Sequence, residues 1–437
     1  MVIFGLPPIV GLAPLILFIF LCFRPKPNAV VNVFVCTVFG AILVGQPLWR
    51  MGPVIQTAMG SFLALVGMII MMGSGLGTVM RKAGVSANIV YTVMRKFGVN
   101  TQKRAILATM FCCVILVALL GTLAGSNAII APIAISVVAA LGIKPSTMAV
   151  VILGAGHTGL FLGPFTPPVV TMMELTGMPY HMVMLTAGLP MAAVIWVSTF
   201  IMANKNQKKA VAAGEAGYEG EVSDLDNYQA TPEVRRSTWA FVISMIGLAV
   251  FGIIIRGGAS FAIIVMITAS IIVGFVSKMK LGEIFESFCE GCGKFFWIFF
   301  MMVLFDPFLN FIIASGGFDA LVEFVSPFIM GLGRTGAIFA TTVISIFGIQ
   351  GAAVAQAMIM HELFFPVMQG MGISMQMWCV MLLMGHQMTT YAYPGIDMFA
   401  QSGLARSPSI KPLIHLGYKA CIPGCLAMTM LLSIFYR

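Results

Sequence analysis

The sequence predicts an all-α polytopic membrane protein made of two inverted-topology repeats, each with a re-entrant or short helical hairpin and a broken transmembrane helix. Three observations lead there. First, the 437 residues are 59% hydrophobic and only 9% Asp, Glu, Lys or Arg, with a mean hydropathy of +1.01. A soluble domain carries about 25% charged residues, so a soluble enzyme, a disordered chain and a collagen-like chain are excluded. Second, continuous apolar runs of about 20 residues, the length of a spanning helix, fill nearly the whole chain, whereas a β-barrel strand would alternate. Third, Gly- and Pro-rich interruptions recur in the same order in both halves.

Taken in order, the runs predict spans at 2–22, 29–48 and 57–80, a paired segment 105–124/128–142, and spans at 147–176 and 181–203. The second half predicts spans at 237–255, 259–277 and 295–315, a paired segment 336–347/352–370, and spans at 374–402 and 412–435. Met1 to Ile19 has no basic residue ahead of its apolar run, so it reads as a first span and not as a signal peptide. Residues 204–236 form the one long polar stretch and read as a mobile cytoplasmic linker between a first repeat, 1–203, and a second, 237–437.

The net charge of +9 is an orientation signal and implies no nucleic acid partner. With these spans, 19 of the 24 Lys and Arg fall on one side; the other holds Arg50, Arg256, Arg334 and Arg437, and Lys419 lies within the last span. The positive-inside rule makes the crowded side cytoplasmic. Both termini are then expected outside, in a multi-pass protein of the bacterial cytoplasmic (inner) membrane.

Five crossings per half make the second copy enter from the opposite face, as in many secondary transporters. Leu65 to Gly98 and Ile298 to Gly331 each run from an apolar span through a small-residue turn to an amphipathic stretch ending in Gly. Ala-Leu-Gly-Ile143 pairs with Gly-Met-Gly-Ile373, Gly156-His157 with Gly385-His386, and Leu-Thr-Gly177 with Gln-Ser-Gly403.

The candidate site follows from the breaks. The hairpin turns are expected at Gly125-Ser126-Asn127 and at Gly348-Ile349-Gln350-Gly351. Unpaired backbone at such a turn must face protein, water or a ligand. Ser and Asn oxygens at Ser126 and Asn127 can hold Na⁺, and N–H groups at a helix start attract a carboxylate. The spans 147–176 and 374–402 are expected to be discontinuous around Gly154–Pro168 and Gly385–Gly395, because Pro removes a helical hydrogen bond and Gly tolerates unwinding. Paired interrupted spans are the best sequence pointer to a transporter's binding site. Gly156, His157, Thr158 and Thr166, with His386, Gln387, Thr389 and Thr390, therefore join Ser126, Asn127, Gln350 and Gly351 as candidate substrate or ion contacts.

Ionisable groups are costly in a bilayer and default to functional candidates. Asp306, Glu174, Glu362 and Asp397 are the candidate coupling carboxylates, with His361 beside Glu362. Three other patterns carry nothing. Gly154, Gly156 and Gly159 mimic a dinucleotide fingerprint with no preceding strand. His361-Glu362 fails as a zinc motif because Phe365 occupies the last His position. Cys289-x-x-Cys292 is one pair without a partner pair. No catalytic constellation is found, and no cofactor is called for beyond the Na⁺ considered at Ser126 and Asn127.

The stretch from Gly67-Met-Ile-Ile-Met-Met-Gly-Ser-Gly, with Ala149-Val-Val-Ile-Leu-Gly-Ala-Gly-His and Pro164-Phe-Thr-Pro, resembles the ion-transporter superfamily of bacterial secondary carriers. It is similar to the C-type four-carbon dicarboxylate uptake carriers and the arginine/ornithine-type permeases, and more distantly to gluconate and citrate permeases. The resemblance implies two inverted repeats, homodimers and an elevator-like transport domain. Relatives in the dicarboxylate/sodium branch carry Ser-Asn-Thr at both hairpin tips. Here Ser126-Asn127-Ala128 keeps part of that motif and Gln350-Gly351-Ala352 does not, so Na⁺ coupling does not follow from the resemblance.

The expected function is secondary active transport of a small organic anion, a dicarboxylate or hydroxycarboxylate, coupled to H⁺ or Na⁺. The alternative is an amino-acid permease or exchanger, or a cation/proton antiporter, of the same superfamily.

Overall fold

The computed structural model describes residues 7–22, 28–218, 228–348 and 352–436. Among the described residues every regular element is helical. The first half runs α1 Ala13–Cys22, α2 Ala29–Leu43, α3 Met51–Ala58, α4 Phe62–Lys82, α5 Val85–Lys96, α6 Gln102–Leu120, α7 Leu123–Ala139, α8 Pro145–Leu162, α9 Pro167–Thr176, α10 Tyr180–Val183 and α11 Leu189–Ala212. The second runs α12 Pro232–Ile254, α13 Phe261–Val276, α14 Leu281–Ala314, α15 Gly317–Gly331, α16 Gly333–Ile346, α17 Ala353–Gly370, α18 Met375–Ala392, α19 Ile396–Leu404, α20 Lys411–Leu416 and α21 Ile422–Phe435. Seven helical segments, among them α4, α6, α12 and α14, are long and apolar enough to cross a membrane, and α2 meets the following short helix at a bend of 114°. Helix starts follow the polar residues that interrupt the apolar runs. Ser61 accepts from Ala64 N, Thr101 from Arg104 N and Ser374 from Met377 N, each at 3.2–3.3 Å.

The order α4 to α9 recurs as α14 to α19, and α8 and α18 have the same length of 18 residues. After each broken span comes a π turn, Met184–Gly188 in one half and Gly417–Cys421 in the other, leading to Pro190 or Pro423. A wider turn accommodates a proline that cannot donate its N–H.

The equivalent helices α4 and α14 pack against each other antiparallel. A side chain at Gly67 would meet Phe299, one at Gly75 would meet Cys292 and Phe288, and one at Gly291 would strike Ser74 and Thr78. Numbers rise along one helix as they fall along the other, which is the inversion predicted from the crossing count. The small residues let the two backbones approach closely, the source of helix affinity where lipid is as apolar as the helix face.

Two expectations change. The first hairpin turns at Gly121 and Thr122, one helical turn before Gly125-Ser126-Asn127, which instead lie inside α7. Gly121 adopts the left-handed φ of 71° needed to stop α6, and that residue type had gone unread. Residues 204–218 of the expected mobile linker are also docked, while 219–227 lie outside the described residues. Helix α11 continues to Ala212, and Gln207 accepts from Lys144 N and donates to Gly142 O. The Glu215 carboxylate accepts from Ser146 N at 2.8 Å and from its hydroxyl at 2.6 Å, covering the first turn of α8. Tyr218 donates to Ala405 O beyond α19. A carboxylate here satisfies orphan N–H groups and complements the helix dipole. Glu215→Ala is therefore expected to cost about 1 kcal/mol, read as a lower unfolding temperature in detergent with transport retained.

Candidate functional site

The site is assembled by two helix breaks and two hairpin tips. Helix α8 ends at Leu162, and Gly163, Pro164, Phe165 and Thr166 lead to Pro167 at the start of α9. Helix α18 ends at Ala392, and Tyr393, Pro394 and Gly395 lead to α19. The breaks thus sit at the prolines. The glycine–histidine stretches expected to unwind, Gly154–Gly159 and Gly385–Thr390, are regular helix leading up to them.

Each break exposes backbone carbonyls that apolar surroundings cannot solvate. The Thr166 hydroxyl lies 2.6 Å from Leu160 O and 2.7 Å from Gly163 O. Tyr180 donates to Leu162 O at 2.7 Å, and Tyr418 donates to Ala392 O at 2.6 Å. Both tyrosines serve the last carbonyl of the first half-helix, one in each repeat. Sequence reasoning missed them; the signal was a Tyr placed soon after each broken span.

A cavity of about 210 Å³ lies where these parts meet. Hairpin tips reach it from both repeats, Gly121 to Ala124 from one and Ala353 and Val354 from the other. Each hairpin therefore brings the start of its second helix, α7 or α17, to the cavity. The polar wall comes from His157 on α8, from His386, Gln387, Thr389 and Thr390 on α18, and from Asp397 in the first turn of α19. Helices α4 and α14 close it with Ile70, Phe295, Trp297, Ile298, Met301 and Met302. No Arg or Lys lines it among the described residues.

The two histidines are held alike. His157 Nδ1 bonds Leu153 O at 3.0 Å, and His386 Nδ1 bonds Leu382 O, each four residues back. A carbonyl only accepts, so Nδ1 carries the hydrogen in both rings and Nε2 is the acceptor. His386 Nε2 is buried with no protein hydrogen-bond partner. The His157 ring sits 5.2 Å from that of Tyr391. Asp397 Oδ2 accepts from the Thr390 hydroxyl at 3.3 Å.

Of the predicted contacts, the structure brings His157, His386, Gln387, Thr389, Thr390 and Asp397 to one cavity. It turns others away. Ser126 donates to Leu116 O, and Asn127 donates to Ile152 O and to Gln401 Oε1. Gly156 packs on Asn127 and Leu123, and Thr158 donates to Gly154 O. Thr166 is fully buried at its break. Gln350 and Gly351 lie outside the described residues. Among the coupling candidates, Glu174 and Glu362 are exposed on the outside of the helix assembly, and Asp306 accepts from Asn310 one turn along α14, outside the cavity wall.

Gln356 was also missed. Its carboxamide donates to Ser345 O and to Thr389 Oγ1, tying the second hairpin to α18. Asn127 does the same for the first hairpin toward α8 and α19. An amide about one turn into each hairpin's second helix is the signal, and its work is to hold hairpin to broken helix.

No curated protein sequence matches the chain. The fold is similar to the Alcanivorax borkumensis YdaH transporter, noted for an unusual topology, with a TM-score of 0.60 and 16% identity over 97% of this chain and 98% of that one. It is also similar to MtrF of Neisseria gonorrhoeae, described as illuminating a class of antimetabolite efflux pumps, with a TM-score of 0.55 and 15% identity over 97% and 94%. At such identities the likeness concerns the fold. The family is set by sequence: residues 7–260, more than half of the chain, match the model of the GntP family permeases. That match covers the first hairpin and the first broken helix, and it makes this chain a member of the GntP permease family, a secondary transporter by family.

Proposed function

We propose that the chain is a proton-coupled carrier of a small organic anion, a hydroxycarboxylate in preference to a dicarboxylate, working by elevator-type alternating access. One observation carries this reading: among the described residues the cavity holds two histidines and one aspartate and no fixed cation. An anion brought beside an ionised carboxylate in a low-dielectric pocket is repelled, so binding favours a proton on Asp397. The anion and the proton then enter together. The N–H groups at the starts of α7 and α17 face the same space and favour a carboxylate. Neutral His157 and His386 present Nε2 as acceptors, which suits hydroxyl donors on the substrate, with Gln387 and Thr390 beside them.

Protons are favoured over Na⁺ because the cavity is lined by the titratable side chains of His157, His386 and Asp397, whereas Ser126 and Asn127, whose Oδ1 is buried without a hydrogen-bond partner, lie outside its wall. The cation-exchanger alternative loses support because its carboxylates, Asp306, Glu174 and Glu362, lie outside the cavity. The moving part would be the hairpins with α8, α9, α18 and α19, sliding on the α4–α14 pair. Residues 1–203 and 237–437 would be the inverted repeats, and the protein would work as a homodimer in the bacterial cytoplasmic membrane.

The test is uptake by purified protein in liposomes of glycerate, gluconate, malate, succinate, citrate and arginine. An inward proton gradient without Na⁺ should drive a hydroxycarboxylate. Strict dependence on Na⁺, or uptake of arginine alone, would overturn the proposal.

A further inference from the structure

A second cavity, of about 640 Å³, adjoins the first on the side that the Lys and Arg distribution marks as cytoplasmic. The two share Thr122, Ala124, Phe295 and Ala400, so the first hairpin tip and the Phe295 ring stand between them. Its walls are the small-residue face of α4, the start of α7 and the end of α19. They carry two cations, Arg81 and Lys294, and no carboxylate.

The charge at its mouth does not cancel. Glu290 meets Lys82 at 2.8 Å, Lys294 at 3.3 Å and Arg81 at 3.5 Å. Three cations on one carboxylate leave a surplus of two positive charges. The side chains are about half exposed, so the individual pairs are weak and screened by salt. A concave wall of low dielectric nevertheless focuses such a surplus on the space it encloses.

We propose that this second cavity is a water-filled cytoplasmic vestibule in which Arg81 and Lys294 form an anion-collecting site one step from the transport cavity. Its use in transport rests on the anion-carrier reading above. Its charge selectivity does not, and can be measured without transport.

The probes are two thiol reagents of opposite charge, sulfonatoethyl and trimethylammonioethyl methanethiosulfonate. The reporter is Gly403→Cys, since Gly403 lines the vestibule and a Cβ there meets nothing within 4 Å. Cys289→Ser and Cys292→Ser remove the nearby exposed and half-buried thiols. Labelling at residue 403 is quantified by mass spectrometry in inside-out and right-side-out vesicles.

The expected result is labelling from the cytoplasmic side, with the anionic reagent favoured about tenfold beyond its preference for a free thiol, in line with electrostatic focusing. Arg81→Gln with Lys294→Gln should abolish that preference, and Arg81→Lys with Lys294→Arg should keep it. Should the double neutral variant fail to assemble, Lys294→Gln alone must lower the preference. No labelling by either reagent, or a preference indifferent to Arg81 and Lys294, overturns the proposal. If labelling behaves as expected while no carboxylate is transported, the carrier reading fails and the vestibule stands.

Discussion

Asp397→Asn is expected to lower proton-driven uptake about 100-fold, equivalent to about 2.7 kcal/mol, while one-for-one substrate exchange survives. The substitution preserves shape, and an Asn oxygen can still accept from Thr390, so the first turn of α19 and the cavity wall stay in place. It removes the one carboxylate that lines the cavity. With Asn always neutral, the anion no longer needs a proton to escape repulsion, and binding uncouples from the gradient. Uptake with and without an inward pH gradient, beside exchange at equal pH, separates these effects. Gradient-driven uptake at the wild-type rate would remove Asp397 from the mechanism.

Gly121→Val should abolish uptake and lower stability by about 3 kcal/mol or more, since left-handed strain costs about 1–3 kcal/mol before any collision is added. At Gly121 φ is 71°, and a Cβ would lie 2.9 Å from Phe165 O, a backbone atom in the α8–α9 break. The hairpin tip would have to leave the break it seals. Gly177 is the control: its φ is 67°, but nothing lies within 4 Å of an added Cβ. Gly177→Ala should cost only the backbone strain, about 1 kcal/mol. Unfolding temperatures and uptake for both variants check this; equal losses at the two glycines would mean that the contact with Phe165 is unimportant.

Much of the fold was legible because a bilayer constrains it so strongly. Backbone groups in hydrocarbon must be paired within a helix, so each apolar run became a helix, and Pro164 and Pro394 had to interrupt theirs. The first hairpin's turn was read one turn late. Ser126 and Asn127 look like turn residues by type, yet here they cap and clamp neighbouring helices, and Gly121 makes the reversal. The linker was read as mobile from its composition, which says nothing of Glu215 finding the bare first turn of α8. The short glycine-rich motifs pointed to a superfamily without separating its families, because break geometry demands similar residues in all of them.

The sequence by itself determined the membrane, the helix order, the doubling of the pattern and the prolines at which the two spans break, because apolar periods and helix breakers act locally. Only the tertiary structure decided which polar residues share a cavity. Ser126, Asn127, Thr158 and Thr166 are as polar as Thr390, but they donate to partners one turn back or on a neighbouring helix and do not line the cavity. His157 lies more than 200 residues before His386 and Asp397 in the chain, and the three meet because α4 and α14 pack antiparallel and bring both breaks to one level. Contacts of that range have no local signature, since direction and burial are set by the helices packed around each residue.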